Sequence, residues 1–100
     1  MQISACNFNY IPLEDLNKLK LHPPEYTAGY SLEIKGYFKC LTVVEVYIDD
    51  SDKPFYSFEF VGKIDTFISD DWYEEDMSFK VYPIECIAKD TKASVTFYEY

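Results

Sequence analysis

The hydrophobic period of this chain changes near residue 28. Before that point, "YIPLEDLNKLKLHPP" carries Leu13, Leu16 and Leu19 as an apolar stripe, with Ile11 and Leu21 flanking it. The stripe predicts a short helix. Pro12 suits the first helical position, Glu14 and Asp15 fall in the first turn, Lys18 and Lys20 fall in the last, and Pro23 and Pro24 stop it. At about two to three turns, such a helix needs packing to persist. The preceding "MQISACNF" is short and apolar-rich and is read as a first strand.

After residue 28 the period is two. In "YSLEIKGYF", Leu32, Ile34 and Phe38 alternate with Ser31, Glu33, Lys35 and Lys39, and Gly36 interrupts the pattern as at a bulge or a close backbone approach. "CLTVVEVYI" is β-branched and reads as a central strand, with Val44, Val46 and Ile48 on one face and Val43, Glu45 and Tyr47 on the other. "DDSDKP" is a turn. "FYSFEFVGKI" returns as the second arm of an antiparallel hairpin. Asp65 to Met77 reads as irregular and acidic. "SFKVYPIECIA" is a further strand whose Pro83 implies an edge or bulge, and "SVTFYEY" closes the chain as the last strand. The expected class is α+β: one domain over residues 1–100, an antiparallel sheet of about four to six strands, and one short N-terminal helix on one face. A single helix covers only part of such a sheet, so a face rich in Tyr is left for a partner or a second copy.

Composition narrows the function. One hundred residues with 48% apolar content make one globular domain with one core. The formal charge is -9, and every one of the nine bases is Lys. A negative chain without Arg is poorly suited to nucleic acid or to anionic membranes, because neutralising phosphate supplies most of that affinity. It suits a basic protein partner. No apolar run approaches the ~20 residues of a membrane span, and no secretory leader is visible. Cys6, Cys40 and Cys86 are odd in number and lack metal-ligand spacing. They read as buried free thiols, which suits the cytoplasm.

Candidate chemistry is sparse. The lone His22, in "LHPP", has no nucleophile or acid placed to form a triad. "IDDSDKP" opens like a calcium loop but lacks the glycine and the bidentate Glu, so Asp49, Asp50 and Asp52 read as turn residues, and no metal or cofactor is expected. The densest feature is "SDDWYEED", in which Asp70, Asp71, Glu74, Glu75 and Asp76 surround Trp72 and Tyr73. Two readings compete. Trp72 anchors a solvated loop to the core, or the segment is an interaction site in which aromatics supply contact energy and carboxylates meet Lys and Arg. A helical turn capped by Ser69 would place Trp72 and Asp76 on one face.

By its charge balance, by "SDDWYEED" and "IDDSD", and by its aromatic strands, the chain resembles the small acidic immunity proteins of bacterial toxin systems. A phage-encoded inhibitor that mimics nucleic-acid charge would look similar. The resemblance implies a cytoplasmic, non-enzymatic inhibitor of a basic, nuclease-type toxin. Asp70, Asp71, Trp72, Tyr73, Glu74, Glu75 and Asp76 would make the main contact, and Asp49, Asp50 and Asp52 a secondary one. The alternative is an assembly module that forms a homodimer through an exposed sheet face or edge. An enzyme acting on a small ligand is the third reading.

Overall fold

A computed structural model describes residues 10–73 and 75–99. The described residues form one curled antiparallel sheet of six strands: β1 (Ile11–Pro12), β2 (Lys20–Leu21), β3 (Thr27–Ile48), β4 (Tyr56–Asp71), β5 (Met77–Tyr82) and β6 (Lys92–Glu99). The class is all-β, which corrects the α+β expectation. The expected N-terminal helix is instead a single 3-10 segment, Leu13–Lys18. Its leucines explain the difference. Leu13, Leu16 and Leu19 recur every third residue, the repeat of a 3-10 helix, and Leu13 and Leu16 are fully buried. Both ends of the segment are also fixed. β1 pairs with β6 through Ile11 and Ala93, and β2 pairs with β5 through Lys20 and Ser78. A 3-10 segment rises ~2.0 Å per residue against ~1.5 Å for an α-helix, so it crosses the sheet with fewer residues.

β3 is the central strand. β4 pairs with it along one side over nearly its whole length. β6 pairs with the N-terminal half of its other side, from Thr27 to Lys35, and β5 with the C-terminal half, from Val43 to Ile48. Midway, Phe38 faces Gly62 and Thr42 faces Phe60, so Lys39, Cys40 and Leu41 stand against Val61 alone. Gly62 has φ +79 at the same point. Excess residues on one strand of a pair bend and twist both, and the β3–β4 ribbon curls around a single core. One face of every strand supplies that core: Tyr30, Leu32, Ile34, Phe38, Val44 and Val46 from β3, Met77, Phe79 and Val81 from β5, and Ala93, Val95 and Phe97 from β6. Burying a side chain of this size contributes roughly 1.5–3 kcal/mol.

Two other expectations change. The stretch expected to be irregular from Asp65 is strand as far as Asp71. Its alternation, with Ile64, Thr66 and Ile68 half-buried between exposed neighbours, continues that of Tyr56, Phe58 and Phe60. The expected free thiols at Cys40 and Cys86 are instead disulfide-bonded, with their Cα atoms 5.2 Å apart. The bond ties the β3 bulge to the 3-10 turn Ile84–Cys86, which follows β5 after Pro83. Cys6 and the expected first strand lie outside the described residues. The bond closes a loop of 46 residues. Changing both Cys40 and Cys86 to Ser should lower the unfolding free energy by about 2–4 kcal/mol. Urea titration checks this: reductant should shift the midpoint of the parent chain and leave that of the double variant unmoved.

Candidate functional site

Because the ribbon curls, the two ends of β4 meet. Asp70 occupies the same face of β4 as Tyr56, one at each end of a row that also contains Phe58, Phe60, Ile64 and Ile68. The Tyr56 hydroxyl donates to the Asp70 carboxylate. Burial, that hydrogen bond, and the charges of Asp70 and Asp71 push the phenol up to about 12. Around this junction four rings close the curl. The centroid of Trp72 lies 5.7 Å from Tyr30 and 5.8 Å from Phe55, in both cases edge to face. Phe55 is 4.5 Å from Tyr56, and Tyr56 is 6.1 Å from Tyr30. Edge-to-face aromatic pairs contribute roughly 0.5–1.5 kcal/mol beyond their buried area.

Above this cluster lies an open depression of about 330 Å³. Ile48, Phe55, Tyr56 and Trp72 form its floor, and Asp70, Asp71, Tyr73 and Glu75 its wall. The 49–52 turn joins the same end of the molecule. The Asp49 amide donates to the Asp76 carbonyl at 2.8 Å, and the Asp76 amide donates to the Asp49 carboxylate at 3.0 Å. Asp49 holds the positive φ of 52 that this exchange requires. Two acidic segments that are separate in sequence, the 49–52 turn and the stretch from Asp70 to Asp76, therefore make one rim.

The rim is partly neutralised. Lys20 Nζ lies 3.2 Å from Asp50 and 3.9 Å from Asp76, and its pKa is raised, chiefly by the hydrogen bond to Asp50. His22 Nδ1 lies 2.5 Å from Asp76 Oδ1. These contacts are solvent-exposed and contribute little stability. They orient Asp76 toward β2 and leave Asp71, Glu75 and Asp52 directed outward. His22, expected to have no catalytic role, has a carboxylate as its neighbour.

The predicted residues divide as follows. Asp70 and Asp71 end β4, and Tyr73 is 54% exposed beside them. The helical turn expected from Ser69 does not form, because residues 69–71 are committed to pairing with Ser31, Tyr30 and Gly29. Trp72 is only 2% exposed. Its Nε1 donates to the Glu75 carbonyl at 2.8 Å, and its amide donates to the Ala28 carbonyl at 3.2 Å. The indole is the floor of the depression and a member of the core. Asp52 is exposed in the turn, and Glu74 lies outside the described residues. Sequence reasoning missed Phe55, Tyr56 and Ile48 as parts of the site. The adjacent "FY" after the turn marks two of them, but only the curl brings them beside Trp72.

Beneath the cluster, the Tyr30 hydroxyl is fully buried and has no hydrogen-bond partner among the described residues. Burial holds its pKa well above the usual phenol range. A buried hydroxyl without a partner costs roughly 1–3 kcal/mol. Tyr30→Phe should therefore raise the unfolding free energy by about 1 kcal/mol, and a lower urea midpoint would contradict this.

Among the described residues, no three His, Cys, Asp or Glu side chains converge as a metal site requires. No described helix is long and apolar enough to cross a membrane. Searches of known family models and of curated proteins gave no match to this chain. What the molecule shows on its own is an antiparallel β-protein with an acid-walled, aromatic-floored depression at one end.

Proposed function

We propose that this protein is a non-enzymatic inhibitor that binds a basic partner, in the manner of an immunity protein covering a nuclease-type toxin. One observation carries the reading: Asp70, Asp71 and Glu75 line one depression together with Phe55, Tyr56 and Trp72, and the Asp49–Asp76 exchange holds the acidic 49–52 turn beside it. A carboxylate rim of this kind meets the Lys and Arg side chains that line a phosphate-binding groove. Asp71, Glu75 and Asp52 supply the outward charge, Tyr73 and Phe55 supply exposed ring surface, and Trp72 holds the floor in shape. Charge speeds the encounter, and the rings slow dissociation. The Cys40–Cys86 bond favours an oxidising compartment over the cytoplasm expected from the sequence. Inhibition by surface coverage operates in either.

The test uses immobilised protein and basic nuclease domains encoded beside it. Capture should be strong at low salt, should fall by about tenfold or more at high salt, and should fall again when Asp70, Asp71 and Glu75 are replaced by Asn, Asn and Gln. Nuclease activity should drop in parallel with capture. Partners that are neutral or acidic, or binding indifferent to both salt and neutralisation, would sink the reading.

A further inference from the structure

Sheet edges attract other strands, and folded proteins usually blunt them. Two edges of this sheet are blunted. On the β6 side, β1 pairs at Ala93 and Lys92, and the Leu13 amide continues the ladder to the Thr91 carbonyl at 3.0 Å. On the β5 side, β2 pairs at Ser78 and Met77, and the Asn17 side chain takes over beyond it. Asn17 Oδ1 accepts from the Val81 amide at 2.8 Å, and its Nδ2 donates to the Val81 carbonyl at 3.1 Å. β4 differs. It is 16 residues long, and among the described residues it pairs only with β3 and no other element packs along its outer edge. Its inner row, including Phe60, Ile64 and Ile68, is only partly buried, and Val61 and Phe67 on its outer face are 60% and 59% exposed.

We propose that β4 is a dimerisation edge, pairing antiparallel with β4 of a second copy about a two-fold axis at Ile64. The charge pattern selects both the occupant and the register. Antiparallel pairing sets residues of the same face opposite one another, so a symmetric register is centred on a residue. Centred on Ile64, Lys63 faces Asp65 of the copy twice over, and Val61 faces Phe67 twice over. Phe60 meets Ile68, and Ile64 meets itself, which covers the half-exposed inner row. Three neighbouring registers oppose like charges. Centring on Gly62 opposes Glu59 to Asp65, centring on Lys63 opposes two lysines, and centring on Asp65 opposes two aspartates, all like-charge contacts. Centring on Val61 pairs Glu59 with Lys63 but puts the axis at the Gly62 kink, where φ is +79. The run from Gly62 to Asp71 keeps uninterrupted register with β3, so the backbone around Ile64 is extended enough to ladder on its other side.

Sedimentation velocity of the full chain at about 0.15 M salt, where screening limits repulsion between two acidic molecules, tests this. The parent chain should be dimeric at about 100 µM, and Lys63→Asp or Asp65→Lys should each weaken the dimer by at least about tenfold. Both side chains are exposed, so circular dichroism should show each variant folded. Mixing the two variants in equal amounts sets both acids of one chain against both lysines of the other and should restore the dimer. Glu59→Lys, which faces Ser69 in this register, should change nothing. A monomeric parent chain, dimers insensitive to charge reversal, no restoration on mixing, or a dimer broken by Glu59→Lys but not by Asp65→Lys would each overturn the proposal. In this register Asp70 and Asp71 of the rim fall opposite Phe58 and Ser57 of the copy, at the ends of the ladder, whereas Lys63 and Asp65 lie outside the rim, so the charge-reversal and mixing results stand whether or not the nuclease test succeeds.

Discussion

Trp72→Ala should lower the unfolding free energy by about 3–5 kcal/mol, the range for truncating a buried large aromatic. The side chain is 2% exposed, touches Tyr30 and Phe55 edge to face, and donates from Nε1 to the Glu75 carbonyl. Truncation removes the transfer energy of the indole, leaves a cavity where β4 closes on its own beginning, and strands the Glu75 carbonyl. A domain of this size has only about 5–15 kcal/mol in total, so the variant should be marginal near room temperature. Urea unfolding followed by far-UV circular dichroism checks this, since the substitution removes the only tryptophan fluorophore. Trp72→Phe should recover most of the loss, because ring packing outweighs one hydrogen bond of about 1 kcal/mol. An alanine variant as stable as the parent would show that the indole does not hold the curl together, and Trp72 would return to being a contact residue of the rim.

Gly36→Ala should cost a similar amount by a different route, about 2–6 kcal/mol. Gly36 has φ +152, and a Cβ built there would lie 2.4 Å from Thr91 Oγ1 and 2.5 Å from Thr91 Cα. Thr91 cannot retreat. Its Oγ1 accepts from the Tyr37 amide at 3.0 Å and donates to the Tyr37 carbonyl at 3.0 Å, and its amide donates to the Ala88 carbonyl. Displacing it breaks the tie between the 88–91 turn and β3. The backbone strain contributes about 1–3 kcal/mol and overpacking about as much again. Thermal unfolding of Gly36→Ala beside Gly62→Ala separates the two terms. Gly62 also has a positive φ, but its surroundings are open, so it should show the strain alone. Equal losses at the two positions would mean that Thr91 yields.

The strands were legible because each is half-buried and alternates. The alternation puts Leu32, Ile34, Val44 and Val46 on the buried face, and of the two readings open at Gly36, a bulge or a close approach, the structure shows the close approach, to Thr91. The helix type is ambiguous in the sequence because apolar residues three apart satisfy both an α-stripe and a 3-10 stripe over so short a run. The distance fixed by β1 and β2 then decided between them. The stretch from Asp65 reads as irregular because its carboxylates are dense, yet the half-buried alternation continues through Ile68, and Ser69, Asp70 and Asp71 are held by the ladder to β3. An odd count of cysteines with wide spacing carries no pairing information, and only the fold brings Cys40 to Cys86.

By itself, the order of residues determined an acidic chain without arginine, period-two strands joined by short turns, and two separate clusters of carboxylates. Those properties are local, set by side-chain charge, branching and alternation along a few residues. The curl, the disulfide, the junction of Tyr56 with Asp70 and the edge of β4 that no other described strand pairs were decided only in three dimensions. They arise where the β3 bulge bends a long ribbon, and the contacts between its ends depend on curvature summed over the whole strand, which no short window of sequence contains.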